Sequence, residues 1–406
     1  MSLEMNTLFR LPADQDHGAS TSGALRIERG RVLIDGAFAD VTLDLDEGGH
    51  IAGLDSDVSA VRRIDAQGLL VLPGIVDIHG DAFERQMMPR PGVGFPIDIA
   101  LLDSDRQVLA NGITTVFHSV TCSWEPGLRG PENARAIIAA LDHLRPLLGA
   151  DTRFHLRHET FNLDAEAEVL GWLANRKIDA LAFNDHMTSA IGSKNSAANL
   201  RRMSERSGVS HDAFVELMTC VHGRAGEVAG SIERFAAAAR AAGVPLLSHD
   251  DMSPDQRRWY RALGCHATEF PTTMETAQDA ASAGDDIIFG APNVVRGGSH
   301  LGWTNAAEMV ARGLCSILAS DYYYPAPLLA AFRLAATAVT PLERAWSLVS
   351  SAPARSMGLT DRGTIAAGKR ADLILVDASD PARPRVAAAI VAGRPVYLTA
   401  RTVIRN

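Results

Sequence analysis

Aliphatic runs that end in polar residues recur through the middle of the chain. The first is LLVLPGIVDIHGD, in which Leu69, Leu70, Val71, Leu72, Ile75, Val76 and Ile78 run into His79, Gly80 and Asp81. A continuous aliphatic run fits a strand buried on both faces, as in parallel sheets. Strands are predicted on this basis at 75–79, 113–118, 152–158, 179–185, 245–249, 266–270, 286–290 and 315–320. Between several of them apolar residues recur at three- and four-residue spacing, as in ENARAIIAALDHLRPLL (132–148) and SIERFAAAARAAG (231–243). That period predicts helices. Gly243, with Pro245 just beyond it, stands where a helix C-terminus belongs. The alternation predicts an α/β fold, a parallel (β/α)8 TIM-like barrel over residues 71–351. An irregular insertion is expected at 187–230.

The two ends read differently. ALRIERGRVLIDG and FADVTLDLDEGGHIAGL near the start, and GTIAAGKRADLILVDASD near the end, are short β-type runs broken by turn residues. The pattern predicts a small β-sandwich domain built jointly from 23–70 and 352–406. Residues 1–22 are polar, without the apolar core of a secretory signal, and read as a flexible segment.

Composition narrows the function classes. The longest apolar stretch, 69–78, is about half of the roughly 20 residues a membrane span needs. With 47% hydrophobic and 21% charged residues, a soluble cytoplasmic enzyme is expected. A net charge of −9 without a basic block argues against nucleic acid as a partner. Cys122, Cys220, Cys265 and Cys315 are scattered, unlike a disulfide framework or thiolate zinc site.

The chemistry lies in the residues at the end of each predicted strand. In order these are His79 and Asp81; His118; His158 and Glu159; Asp185 and His186; His249, Asp250 and Asp251; Glu269; GAPNVVRGGSH; and Asp321. Each has a plain structural alternative: a hydrogen-bonded histidine, a helix-capping aspartate, a glutamate in a rim ion pair. Together they would bring several ligand types to the carboxyl ends of the strands, where barrels keep their active sites. Oxygen and imidazole ligands without thiolate suit one or two divalent ions, zinc first, with manganese or iron also compatible.

PGIVDIHGD, ITTV, SHDD, the late ASD and the closing GTIAAGKRADLILVD resemble the amidohydrolase superfamily, over nearly the whole chain. The resemblance implies a barrel with one or two divalent metals and a metal-activated water. It assigns His79, Asp81, His249 and Asp321 as ligands, Asp321 also as the proton acceptor, Glu159 as the bridging carboxylate and His186 on the second metal. Glu269 stands where relatives carry histidine; ligand and support for a ligand both remain open.

MPRPGVGFP, SHDD, TEFPTT, GAPNVVRGGSH and SDYYYPA resemble, more narrowly, a diphosphatase family of the carbon–phosphorus lyase pathway. NDHMTSAIG and the extra tyrosine in SDYYYP depart from that family's pattern. This resemblance implies a phosphorylated sugar substrate, a ribosyl triphosphate that loses pyrophosphate. Arg296, Gly297, Gly298, Ser299, His300 and Asn293 would then bind phosphate, with Arg90 as a second clamp and Tyr322 near the ribose. Gly297 and Gly298 could present backbone N–H groups to an anion, and Arg296 a two-pronged donor. The alternatives are an amidase or deacetylase on a small anionic substrate and a metal-free assembly protein. A homo-oligomer is compatible with the sequence.

Overall fold

The structure is a computed structural model that describes residues 24–56, 62–192, 196–298, 305–402 and 404–405. The expected flexible segment 1–22 lies outside the described residues, as do Ser299 and His300. Eight parallel strands run in sequence order around a barrel: β1 (Ile75–Gly80), β2 (Ile113–Cys122), β3 (Asp151–Glu159), β4 (Ala180–Asn184), β5 (Leu246–His249), β6 (Ala267–Glu269), β7 (Asp286–Gly290) and β8 (Ile317–Ala319). Each falls where an aliphatic run predicted it.

The barrel closes where β8 meets β1. A bridge links Gly80 with Asp321; Asp321 N–H donates to the His79 carbonyl at 2.8 Å, and Asp81 N–H donates to the Asp321 carbonyl at 3.0 Å. Below it the buried Asp77 carboxylate accepts from Ser320 N–H at 2.9 Å and from Ser320 Oγ at 2.5 Å. A Cβ at position 80 would lie 2.6 Å from Asp77 Oδ2, which explains the glycine between His79 and Asp81.

Two sheets flank the barrel. One orders Ile404–Arg405, Arg62–Asp65, Leu25–Glu28, Leu43–Leu45 and Ile51–Leu54; the other Arg394–Leu398, Arg385–Val391, Leu373–Asp377, Leu70–Pro73, Arg31–Ile34 and Ala37–Asp40. Leu373–Asp377 pairs antiparallel with Leu70–Pro73, so three strands from the end of the chain join three from its start in one sheet. Leu25, Leu43, Ile64, Val71, Leu373 and Ile390 share the core between the sheets. Arg362 then reaches from this unit into the barrel floor, donating to Thr115 Oγ1 at 2.9 Å and Asp151 Oδ2 at 2.6 Å.

The stretch after β4 corrects one expectation. Instead of an irregular insertion it carries helices His186–Gly192, Ser196–Ser207 and His211–His222, followed by Ala225–Ala242. The last ends at Gly243, in the left-handed region at φ 69°, as the sequence predicted. The insertion is pinned to the end of β2: Arg206 Nε donates to Glu125 Oε1 at 2.7 Å, and Phe214 packs on Trp124.

Candidate metal centre

Strand β3, DTRFHLRHE, alternates in character along its length. Successive strand residues face opposite sides. Phe154 and Leu156 join Ile138, Val169 and Phe235 in the core between barrel and helices. Arg153, His155, Arg157 and Glu159 therefore share the inner face: Arg153 lies over the Phe117 ring, and the other three reach the mouth of the barrel. His158 points outward onto Phe235, with ring centroids 4.5 Å apart. Its two ring nitrogens are buried and make no hydrogen bond among the described residues. His118 is also outside the centre, packed on Phe83. Burial pushes both imidazoles down to about 4.

In the mouth, Glu269 links two predicted ligands. Its Oε1 lies 2.7 Å from His79 Nδ1 and its Oε2 3.1 Å from His249 Nδ1. The two imidazoles stack, 5.3 Å between centroids, and both meet the edge of Phe270. With Nδ1 donating to the carboxylate, each ring offers Nε2 as its lone pair; carboxylate-oriented histidines of this kind are usual beside metals. A parallel pair stands across the mouth, where Glu159 Oε1 lies 2.5 Å from His186 Nδ1 and Glu159 Oε2 accepts from His186 N–H at 3.3 Å. Ligand atoms of His79, His155 and Glu269 form one compact group, and those of His186, His249 and Asp250 another, each within 4.8 Å.

Three residues here hold positive φ without being glycine: Asp250 at 56°, Phe270 at 56° and Asp321 at 55°. Each stands just past a strand end (β5, β6 and β8). Such strain persists where surrounding structure fixes it, commonly at functional sites.

Sequence reasoning about strand ends missed Arg157. Its guanidinium is nearly inaccessible, 4% exposed. Nη1 donates to Asp81 Oδ2 at 3.1 Å and Nη2 approaches His249 Nε2 at 3.2 Å. With its amide oxygen facing inward, Asn184 accepts from Nη2 at 3.0 Å and from Nε at 3.1 Å. His155 was missed as well. Its Nδ1 lies 3.0 Å from both the Ile78 carbonyl and Ser119 Oγ, while its Nε2 is buried and unpartnered among the described residues. The signal for both was the two-residue period leading to Glu159.

Two neighbours have structural work instead. Asp185 Oδ1 accepts from Thr188 N–H at 2.8 Å, capping the helix that begins at His186. Asp251 Oδ2 accepts from Ser248 Oγ at 2.6 Å and Thr268 Oγ1 at 2.7 Å and pairs with the buried Arg257.

The electrostatics show a shortage of positive charge. Burial, then the adjacent Asp81, pushes the Asp321 carboxyl up to about 8. Burial raises Glu269 to about 7 and Asp250 to about 6. Burial, and next Arg157, holds His79 and His249 well below the usual imidazole range, so they remain neutral. Neutral imidazoles, each with one nitrogen turned away from its orienting carboxylate, beside under-compensated carboxylates suit a divalent cation. The residues present fit such an ion.

At the predicted anion loop, the helix Ala291–Arg296 ends in Gly297, at φ 86°. The N–H groups of Gly297 and Gly298 both donate to the Asn293 carbonyl, at 3.1 and 2.9 Å. This corrects the expectation that they present free amides: the glycines close a helix. Arg296 is exposed and its Nη1 donates to Tyr322 Oη at 3.3 Å. Arg90 lies exposed in the turn closed by Val93 N–H on its carbonyl. β7 ends in glycine because a Cβ at Gly290 would sit 3.0 Å from Asp321 Oδ2.

Comparison with known proteins agrees with this architecture. The chain is 31% identical over 363 residues to the alpha-D-ribose 1-methylphosphonate 5-triphosphate diphosphatase of Escherichia coli (strain K12), covering 86% of this chain and 94% of that one. Among solved structures it resembles molinate hydrolase, with TM-score 0.62 and 16% identity over 92% of this chain and 94% of the other. It also resembles a D-hydantoinase, with TM-score 0.62 and 14% identity over 94% and 97%. At such identities the likeness speaks for the fold. The profile of the Amidohydrolase family matches residues 70–405, from the last strand before the barrel almost to the end, and the chain belongs to that family.

Proposed function

We propose that the chain is a metal-dependent hydrolase of phosphoanhydrides, which converts α-D-ribose 1-methylphosphonate 5-triphosphate to the 5-phosphate and pyrophosphate. The observation that carries this reading is the 31% identity spanning 94% of the E. coli diphosphatase. His79, Asp81, Glu159, His186, His249 and Asp321 are the residues proposed to hold the metal. A bound divalent ion would polarise a phosphoryl oxygen and acidify the attacking water.

The remaining roles belong to the chain. Asp321, at the seam of the barrel against Gly80, is the residue proposed to take a proton. Glu269 and Glu159 fix the tautomers of the histidines they face. Arg296, with Tyr322 against it, offers a charged donor to the polyphosphate, and Arg90 a second. The partner this implies is a small phosphorylated sugar.

The test is incubation of metal-loaded protein with the ribosyl triphosphate, with products read by phosphorus NMR. Stoichiometric pyrophosphate is expected. Release of orthophosphate instead, or inertness towards the triphosphate while cyclic amides are hydrolysed, would overturn the reading.

A further inference from the structure

We infer that Arg157 supplies, as a fixed guanidinium, the positive charge of a second divalent cation, so that the barrel mouth takes one metal ion and not two. This rests on the proposed reading of the mouth as a divalent-cation centre.

Placement comes first. The alternation of β3 sets Arg157 on the inner wall of the barrel between His155 and Glu159, and it is 4% exposed. Its three guanidinium nitrogens are all engaged: on Asp81 Oδ2 at 3.1 Å, on His249 Nε2 at 3.2 Å, and on the Asn184 oxygen at 3.0 and 3.1 Å. A planar fork held on three sides has no second rotamer that preserves those bonds.

The atoms it occupies carry the inference. His249 commits Nδ1 to Glu269, so Nε2 is the one lone pair that ring can give a metal, and Arg157 already faces it. Arg157 likewise sits on the Asp81 carboxylate, the second ligand expected from β1. A divalent ion shared by Asp81 and His249 would have to lie against the guanidinium, where like charges in a water-poor site repel strongly. Displacing the arginine would strip a buried cation of its partners Asp81, His249 and Asn184. Of the ligands proposed above, Asp81 and His249 are thus taken by the guanidinium, and His79, Glu159, His186 and Asp321, to which it donates no hydrogen bond among the described residues, remain for a single ion.

Metal content and spectroscopy test this without reference to turnover. The protein is stripped with a chelator, reloaded with excess Mn²⁺ or Zn²⁺, desalted and measured by mass spectrometry of the metal. X-ray absorption then looks for a metal–metal vector, which in two-metal sites falls at about 3.5–4 Å. Wild type is expected to hold one equivalent without that vector. Arg157→Met, of similar length but uncharged, is expected to take up a second equivalent, and Arg157→Lys to stay at one. Two equivalents in wild type or in Arg157→Lys, or one in a folded Arg157→Met, would overturn the inference. If Arg157→Met does not fold, the wild-type count and spectrum decide. No bound metal in wild type would sink the metal-centre reading itself, a result distinct from two equivalents.

Discussion

Glu269 lies between His79 and His249 and gives one carboxylate oxygen to each, at 2.7 and 3.1 Å from their Nδ1 atoms. The contact fixes which nitrogen of each ring faces the centre. Glu269→Gln keeps the shape but offers one accepting oxygen in place of two, so one histidine loses its anchor. Metal affinity is expected to fall about 10–100-fold, the usual cost of losing such a support. Competition with a chromogenic chelator measures it, and unchanged affinity would show that Glu269 does not orient the histidines.

Asp81 pairs with Arg157 at 3.1 Å, and its charge offsets that of the guanidinium beside the centre. Asp81→Asn keeps an oxygen for the guanidinium while removing the charge. We expect metal retention to drop by about tenfold or more, with KM changing less. Metal content after dialysis checks the first and steady-state kinetics the second. Undiminished metal content would mean that the Asp81 charge does not bear on the centre.

Arg296 is exposed, and its guanidinium reaches Tyr322 at the rim of the mouth. Its loss should therefore affect substrate more than stability. Arg296→Ala removes a charge-assisted hydrogen bond worth about 1.5–3 kcal/mol, or roughly 10–100-fold in kcat/KM. The shift in unfolding free energy should stay within about 0.5 kcal/mol, as for surface changes generally. Turnover of the triphosphate at the wild-type rate would remove Arg296 from the binding site.

A pH effect on stability is expected at the barrel floor. Burial raises the Asp151 carboxyl, but Arg153, Arg362 and Arg370 outweigh it, and the net value lies below the ordinary 3.8. A lowered folded value stabilises the fold above the unfolded value, and that stability is lost as pH falls through the folded one. Asp151→Asn should accordingly be less stable than wild type near neutrality and lose less on acidification below about pH 4. Urea midpoints at several pH values give the two curves; parallel curves would contradict the assignment.

How legible each feature is in the sequence depends on how it is encoded. The barrel strands are visible because burial on both faces demands aliphatic runs, and their polar ends locate the mouth. Arg157 and His155 are hidden because they lie inside a strand, where the signal is parity with Glu159 and not position after the run. The helix Ser196–Ser207 escapes notice because few of its residues are apolar. In SAANLRRMSERS, Leu200 and Met203 are the residues that meet the small cluster around Phe214 and Trp124. Gly297 and Gly298 show the converse. An anion-binding nest and a helix C-terminus ask for the same residue, and here the Asn293 carbonyl determined which was built.

The seam between first and last strands has a consequence for how this protein would fail. The bridge that shuts the barrel joins Gly80 to Asp321, the Asp321 amide rests on the carbonyl of His79, and the Asp77–Ser320 clasp lies just beneath. The hinge of the cylinder and its reactive edge are thus the same few residues. A transient parting of the two strands would pull a histidine and an aspartate of the centre away from each other while the helices outside stay packed. Heating should therefore extinguish turnover before the helical circular dichroism signal declines, and bound metal should narrow that gap by tying the parted edges together.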